Sequence, residues 1–207
     1  MSPNLNDKNI DIEAVANKAQ EDDKLLAKLL DNLRTKNETI RYNSHKVLFS
    51  ISEQRPKVLY PKWDFFTDLL DSDNTYHKLS AVQLLANLTK ADKDNKFEKI
   101  FDKYYGLLDD KSFITAAYVS AASGMIAKAK PKLQTKITNR LLNIDKTHHT
   151  QERIDLAKAS VIEAFEEYFD QSKSEKRIVD FVRKQLNCQS PKTRKAAKDF
   201  FKRFTVK

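Results

Sequence analysis

The 207-residue chain has only two glycines, one cysteine, one tryptophan and five prolines. Two glycines leave almost no tight-turn chemistry, which argues against a β-sandwich and against a glycine-rich phosphate loop. The lone Cys188 has no partner for an internal disulfide, and no Cys-x-x-Cys pair is present for zinc or redox chemistry. No run approaches the roughly 18 consecutive apolar residues of a membrane span. Residues 1–20 are polar and acidic, unlike a secretory leader. The expectation is a soluble, cytoplasmic protein with no membrane partner and no cofactor.

What is present is charge. The chain holds 38 Lys and Arg against 29 Asp and Glu, a net charge of +9. The whole excess sits in residues 172–207, which carry twelve cations and three acids, while residues 1–171 balance. A smaller basic run (Lys128, Lys130, Lys132, Lys136 and Arg140) lies mid-chain. Such a one-ended field speeds the arrival of polyanions but does not set a fold. Apolar clusters recur almost to the end of the chain, which excludes general disorder.

These clusters repeat. Leu29-Leu30-Asp31, Leu69-Leu70-Asp71, Leu107-Leu108-Asp109, Leu141-Leu142-Asn143 and Gln185-Leu186-Asn187 recur at intervals of 40, 38, 34 and 44 residues. Each string closes a helix with apolar residues at helical spacing, for example Phe97, Ile100, Phe101, Tyr104 and Leu108. A polar turn follows, then a second helix that reads cation, small residue, apolar, apolar: Arg41, Ser44, Leu48, Ile51; Lys78, Ala81, Leu85, Leu88; Arg194, Ala197, Phe201, Phe204. The small residue lets the paired helix approach closely. Pro56, Pro61, Pro131 and Pro191 fall at helix starts, where a missing N–H costs nothing; residues 56–59 read as one short turn. Five helix pairs therefore tile residues 22–204, preceded by a leading helix within residues 7–20.

This pattern resembles a HEAT-repeat protein of the armadillo-like α-solenoid superfamily, above all in Leu69-Leu70-Asp71-Ser72-Asp73 running into Tyr76-His77-Lys78-Leu79-Ser80-Ala81, and in residues 190–197. The resemblance implies an all-α, right-handed α-α superhelix, a HEAT-like solenoid of about five helix pairs. The expected division is a polar N-terminal segment over residues 1–21 and the solenoid over 22–207. The third repeat departs from the pattern: its second helix, with Ile114, Ala117, Ala121 and Gly124, lacks the early cation. Either the register shifts there or that helix is packed on more sides.

Solenoids of this kind present a concave face lined by their second helices. Turned away from the apolar stripe are Asn43, Lys46 and Ser50, then Tyr76, Ser80, Gln83 and Asn87, with Ser112, Ser123, Lys192 and Arg203 further along. In related solenoids Asn and Gln ladders hydrogen-bond an extended peptide, so the expected partner is a protein or peptide held on the ridge of Asn43, Lys46, Tyr76, Ser80, Gln83 and Asn87. The competing reading is an ordinary solvated helix face. At the basic end, Arg194, Lys198 and Lys202 form a straight i, i+4, i+8 stripe flanked by Lys184, Lys195 and Arg203. That stripe is the alternative site, one that neutralises nucleic-acid phosphates; against it stands a charged cap on the terminal repeat.

No catalytic constellation accompanies the repeat, so the expectation is not an enzyme. None of the four histidines is followed by Glu, so the metal-holding His-Glu pairs of HEAT-type iron hydroxylases are absent. His148 and His149 fall in a turn where neighbouring side chains diverge, and lack a third ligand at metal spacing. The DNA-alkylation-repair branch of these solenoids is a remote third reading. It uses an acidic residue and aromatics in a basic concave groove, but the sole Trp63, followed by Asp64, falls on a first helix and faces the convex side. Cys188 reads as a passive helix-end residue.

Overall fold

The structure is a computed structural model that describes residues 3–204. Lys207, counted in the basic tail, lies outside the described residues, as do the outermost positions of the expected 1–21 and 22–207 segments. Among the described residues there are twelve α-helices and no strand. They fall into two compact units, residues 1–97 and 98–207.

The first unit contains α1 (Ile12–Ala19), α2 (Asp23–Asn32), α3 (Glu38–Gln54), α4 (Pro56–Leu59), α5 (Trp63–Leu69) and α6 (Thr75–Leu88). Polar side chains start these helices by accepting from otherwise unpaired backbone N–H groups: Asp11 from Ala14, Asp22 from Leu25, Asn37 from Ile40 and Asn74 from Tyr76. Pro56 opens α4 where its lack of an N–H is harmless. Helices α2 and α5 pack as first helices beneath α3 and α6, which lie side by side, and α1 lies along the other flank of α3. Leu29, Leu48, Ile51, Phe66 and Leu85 are all buried in the core. Leu85→Ala is expected to cost about 2–5 kcal/mol in urea unfolding, because a fully buried leucine leaves a cavity; a loss well under about 1 kcal/mol contradicts this packing.

The second unit is built from α7 (Lys96–Gly106), which begins at the end of the first unit, α8 (Phe113–Ala129), α9 (Gln134–Leu142), α10 (Gln151–Glu166), α11 (Glu175–Lys184) and α12 (Pro191–Arg203). Its second helices α8, α10 and α12 pack in sequence. The recurring Leu-Leu-Asp string has a structural meaning here: Leu107–Asp109 and Gln185–Asn187 are single 3-10 turns that tighten the ends of α7 and α11. Neither glycine has a positive φ. The one described residue that does is Asn95, at 54°, in the turn where the Asp92 carboxylate accepts from the backbone N–H groups of Lys96 and Phe97. The same carboxylate accepts from the Tyr60 hydroxyl at 2.7 Å.

In the third repeat the register is shifted: Ile114 and Ala121 are exposed, and the buried side of α8 follows other positions. Residues from Thr115 and Ala116 through Ser120, Ser123 and Gly124 to Ala127 are buried on it, and Gly124 lies directly against the backbone of α10.

Candidate interaction surfaces

The ridge expected on α3 and α6 divides in two. Lys46 and Tyr76 are exposed and Gln83 is half-buried, whereas Asn43, Ser80 and Asn87 are buried. The Asn43 amide donates to the carbonyls of Leu5 and Asp7 at 3.0 and 2.8 Å. Ser50 donates to Glu13 of α1 at 2.9 Å. Asn87 donates to Ser52 at 2.8 Å. These polar side chains tie α3 to the segment before α1, to α1 and to α6, and are not open to a ligand. The physical reason is that a second helix in a stack is covered on both flanks as well as beneath, so residues off the apolar stripe are still enclosed. In the second unit Ser123 is buried for the same reason, its hydroxyl bonded to the Val119 carbonyl.

The large apolar side chains that α3 and α6 expose are aromatic. Tyr42 is 62% and Tyr76 55% exposed. The Arg41 guanidinium lies 4.4 Å from the Tyr76 ring centre, and the Lys46 ammonium lies 5.5 Å from that of Tyr42. Just below, His45 bonds to Gln83, and burial pushes its imidazole down to about 4. Nothing in the apolar periodicity marks Tyr42. The only sequence signal is a large aromatic at a position the core does not claim.

The second unit exposes Ile114 (54%), Tyr118 and Leu156 on α8 and α10. Ile114 and Tyr118 are one turn apart on the same face. An open groove of about 700 Å³ lies between the starts of α10 and α12, with Arg153, Leu156, Gln189 and Pro191 in its walls. Beneath it Lys158 is buried between Asp145 (2.7 Å) and Asp155 (3.1 Å). Burial pushes the Asp155 carboxyl up, but the bonds from Gln151 and Lys158 outweigh it and hold Asp155 below the ordinary range. Thr193 donates to the Asp155 carbonyl, fixing α12 on α10.

The basic stripe of α12 is largely engaged. Arg194 donates to the carbonyls of Cys188 and Gln189 at 2.6 and 2.9 Å. Arg41 does the same to Thr35, again six residues back. In these two repeats the arginine at the start of the second helix therefore ties down the preceding turn, whose carbonyls have no helical partner. Lys195 and Lys202 reach Asp199, at 2.6 and 3.4 Å, and Arg203 reaches Glu166 at 3.2 Å. Lys184 and Lys198 are exposed.

The remaining chemistry-bearing residues do not converge. Trp63 is buried edge-on to Tyr60, neither on an open face nor in a groove. His148 and His149 do not diverge as expected: their ring centres are 4.4 Å apart. The His148 backbone N–H donates to the Asp109 carboxylate at 2.7 Å, and its Nδ1 lies 2.6 Å from the same oxygen. Buried His149 is lowered by burial and by the charge of its neighbour. Cys188 is buried. Among the described residues, no group of three or more His, Cys, Asp and Glu side chains is placed to hold a metal ion, and no helix is long and apolar enough to cross a membrane.

No protein-family profile and no curated protein matches the chain. Solved structures do. A designed armadillo repeat protein is 17% identical, with a TM-score of 0.51 over 92% of this chain and 90% of that one. The fold is an all-α, armadillo-like solenoid. The crystal structure of an engineered protein, 15% identical, aligns over 92% of this chain and 87% of its own, with a TM-score of 0.49. Among the described residues of this armadillo-like chain the exposed large apolar side chains (Tyr42, Tyr76, Ile114, Tyr118 and Leu156) all belong to second helices.

Proposed function

We propose that this armadillo-like protein is a non-enzymatic module that holds a protein or peptide segment against the exposed edge of the second helices α3 and α6 in its first unit. The observation that carries the reading is where the exposed large apolar side chains lie: on α3, α6, α8 and α10, with none on the first helices among the described residues. A face chosen only for solubility would not gather them on one of two helix types. Aromatic residues and arginine also dominate the energetics of protein interfaces. In the first unit, Tyr42 and Tyr76, with Arg41, Lys46 and Gln83 beside them, offer aromatic area with a positive rim. A partner segment that sets an apolar anchor next to an acidic residue complements that chemistry.

The test is selection of displayed peptides on the purified protein, followed by titration against a Tyr42→Ala, Tyr76→Ala double variant. The variant is expected to weaken selected peptides at least tenfold, about 1.4 kcal/mol, with an unchanged helical circular dichroism spectrum. Peptides that bind both proteins equally contradict the reading. So does a turnover by the purified protein that the double variant abolishes.

A further inference from the structure

The positive charge of the second unit lies on two surfaces of different character. On α12 it is interleaved with acids: Asp199 takes Lys195 and Lys202, Glu166 takes Arg203, and Glu163 stands beside Lys195. The first helices differ. Lys132, Lys136 and Arg140, on α9 and the turn leading into it, are exposed. So are Lys176, Arg177, Arg183 and Lys184 on α11. Against these seven cations the same helices and α7 carry four acids, Glu98, Asp102, Glu175 and Asp180, of which Glu98 is taken by Lys130 and Asp180 lies 3.5 Å from Arg183. Side-chain contacts join the rows: Arg140 and Lys136 both reach Asp102, at 2.6 and 3.4 Å, and Arg177 donates to Asn139 at 2.6 Å. The mid-chain basic run and part of the basic tail thus meet on one face.

We infer that this α9–α11 face binds the phosphodiester backbone of duplex nucleic acid, as an interaction surface separate from the second-helix edge. Three features select that occupant. The cations are in excess over acids, so each bound phosphate releases counterions without first breaking an internal ion pair at most positions. Exposed Thr135 and Asn139 lie among the cations, and such uncharged side chains hydrogen-bond phosphate and sugar oxygens. No large apolar side chain is exposed on α9 or α11 among the described residues. A single strand is gripped by stacking its bases on aromatics, which this face does not expose; a membrane surface is held by apolar insertion together with charge, and this face offers the charge alone. Recognition is of charge and spacing, without base readout. The surface takes Lys184 from the basic set marked by the sequence and leaves Arg194 to its turn.

The test is fluorescence anisotropy of the full chain with labelled DNA and RNA duplexes across a salt series, with phosphatidylserine vesicles as competitor. A Lys132→Glu, Lys176→Glu, Lys184→Glu variant and its milder Lys→Gln counterpart run beside a Lys195→Glu, Lys198→Glu, Lys202→Glu variant, each checked by thermal melting. Duplex binding is expected to weaken steeply with salt. The α9–α11 glutamate variant is expected to lose at least about tenfold in affinity and to flatten the salt slope by roughly three. The glutamine variant should lose less, and the α12 variant least of all. Comparison of the DNA and RNA arms says which duplex supplies the phosphates. Absence of duplex binding at low salt, a larger loss in the α12 variant, or preferential capture by the vesicles overturns the inference.

Discussion

Replacing Gly124 is expected to destabilise the second unit by forcing α8 and α10 apart. A Cβ on Gly124 would stand 2.7 Å from the Ala164 carbonyl oxygen, 2.8 Å from Glu167 Cγ and 3.0 Å from Ala164 Cα. Glu167 can swing aside, but the α10 backbone cannot without moving the helix. In a helix interior alanine normally gains about 0.5–1 kcal/mol over glycine. Here that gain is opposed by overpacking, which costs about 1–3 kcal/mol when helices are forced apart. Gly124→Ala is therefore expected to lower stability on balance, and Gly124→Leu to lower it further. Gly106 is the internal control: nothing lies within 4 Å of a Cβ there, so Gly106→Ala is expected to be neutral or to stabilise by up to about 1 kcal/mol. Chemical unfolding of the three variants checks the contrast. A Gly124→Ala protein as stable as Gly106→Ala contradicts the close approach of α8 and α10.

The second large effect is of pH, and it belongs to the first unit. Burial lowers the His45 imidazole from 6.5 to about 4. A group whose folded value is depressed leaves stability intact above its unfolded value, and stability falls as the pH drops from there towards the folded value, because only the unfolded chain takes up the proton. The window therefore runs from about pH 6.5 down to about pH 4. Within it, at about pH 4.5, the loss from His45 alone reaches about 2–3 kcal/mol relative to pH 7. His77 and His149 are also lowered, chiefly by burial, and act in the same direction. His45→Gln keeps a hydrogen-bonding group opposite Gln83 and cannot titrate. Urea midpoints at about pH 7 and about pH 4.5 should diverge less for the variant than for the parent; parallel losses contradict a buried neutral His45.

Much of the fold can be read from the chain. The Leu-Leu-Asp strings, the polar turns and the small residue facing the paired helix are local features, each with a local cause, and they place the helices without any knowledge of the stack. Ridge exposure is not local. Asn43 and Asn87 are off the apolar stripe of their own helices, yet the first meets the Leu5 and Asp7 carbonyls and the second meets Ser52. A helical period counts one buried face, whereas these helices have three. Arg194 is illegible for a related reason: its i, i+4, i+8 spacing with Lys198 and Lys202 is that of a stripe, but its guanidinium turns back onto carbonyls five and six residues earlier. The joining of α9 and α11 through Arg177 and Asn139 depends on packing 38 residues apart in the chain, which charge counting along the sequence cannot register.

The central claim is that the apolar edge of α3 and α6 is a docking surface, distinct from the charged face of α9 and α11. It is tested most directly by titrating a selected peptide and a DNA duplex against the same three proteins: the parent, the Tyr42→Ala, Tyr76→Ala variant, and the Lys132→Glu, Lys176→Glu, Lys184→Glu variant. The expected result is a crossed pattern, with peptide affinity lost only in the tyrosine variant and duplex affinity lost only in the lysine variant. Peptide binding that survives loss of both tyrosines and falls with the lysines instead would contradict the claim.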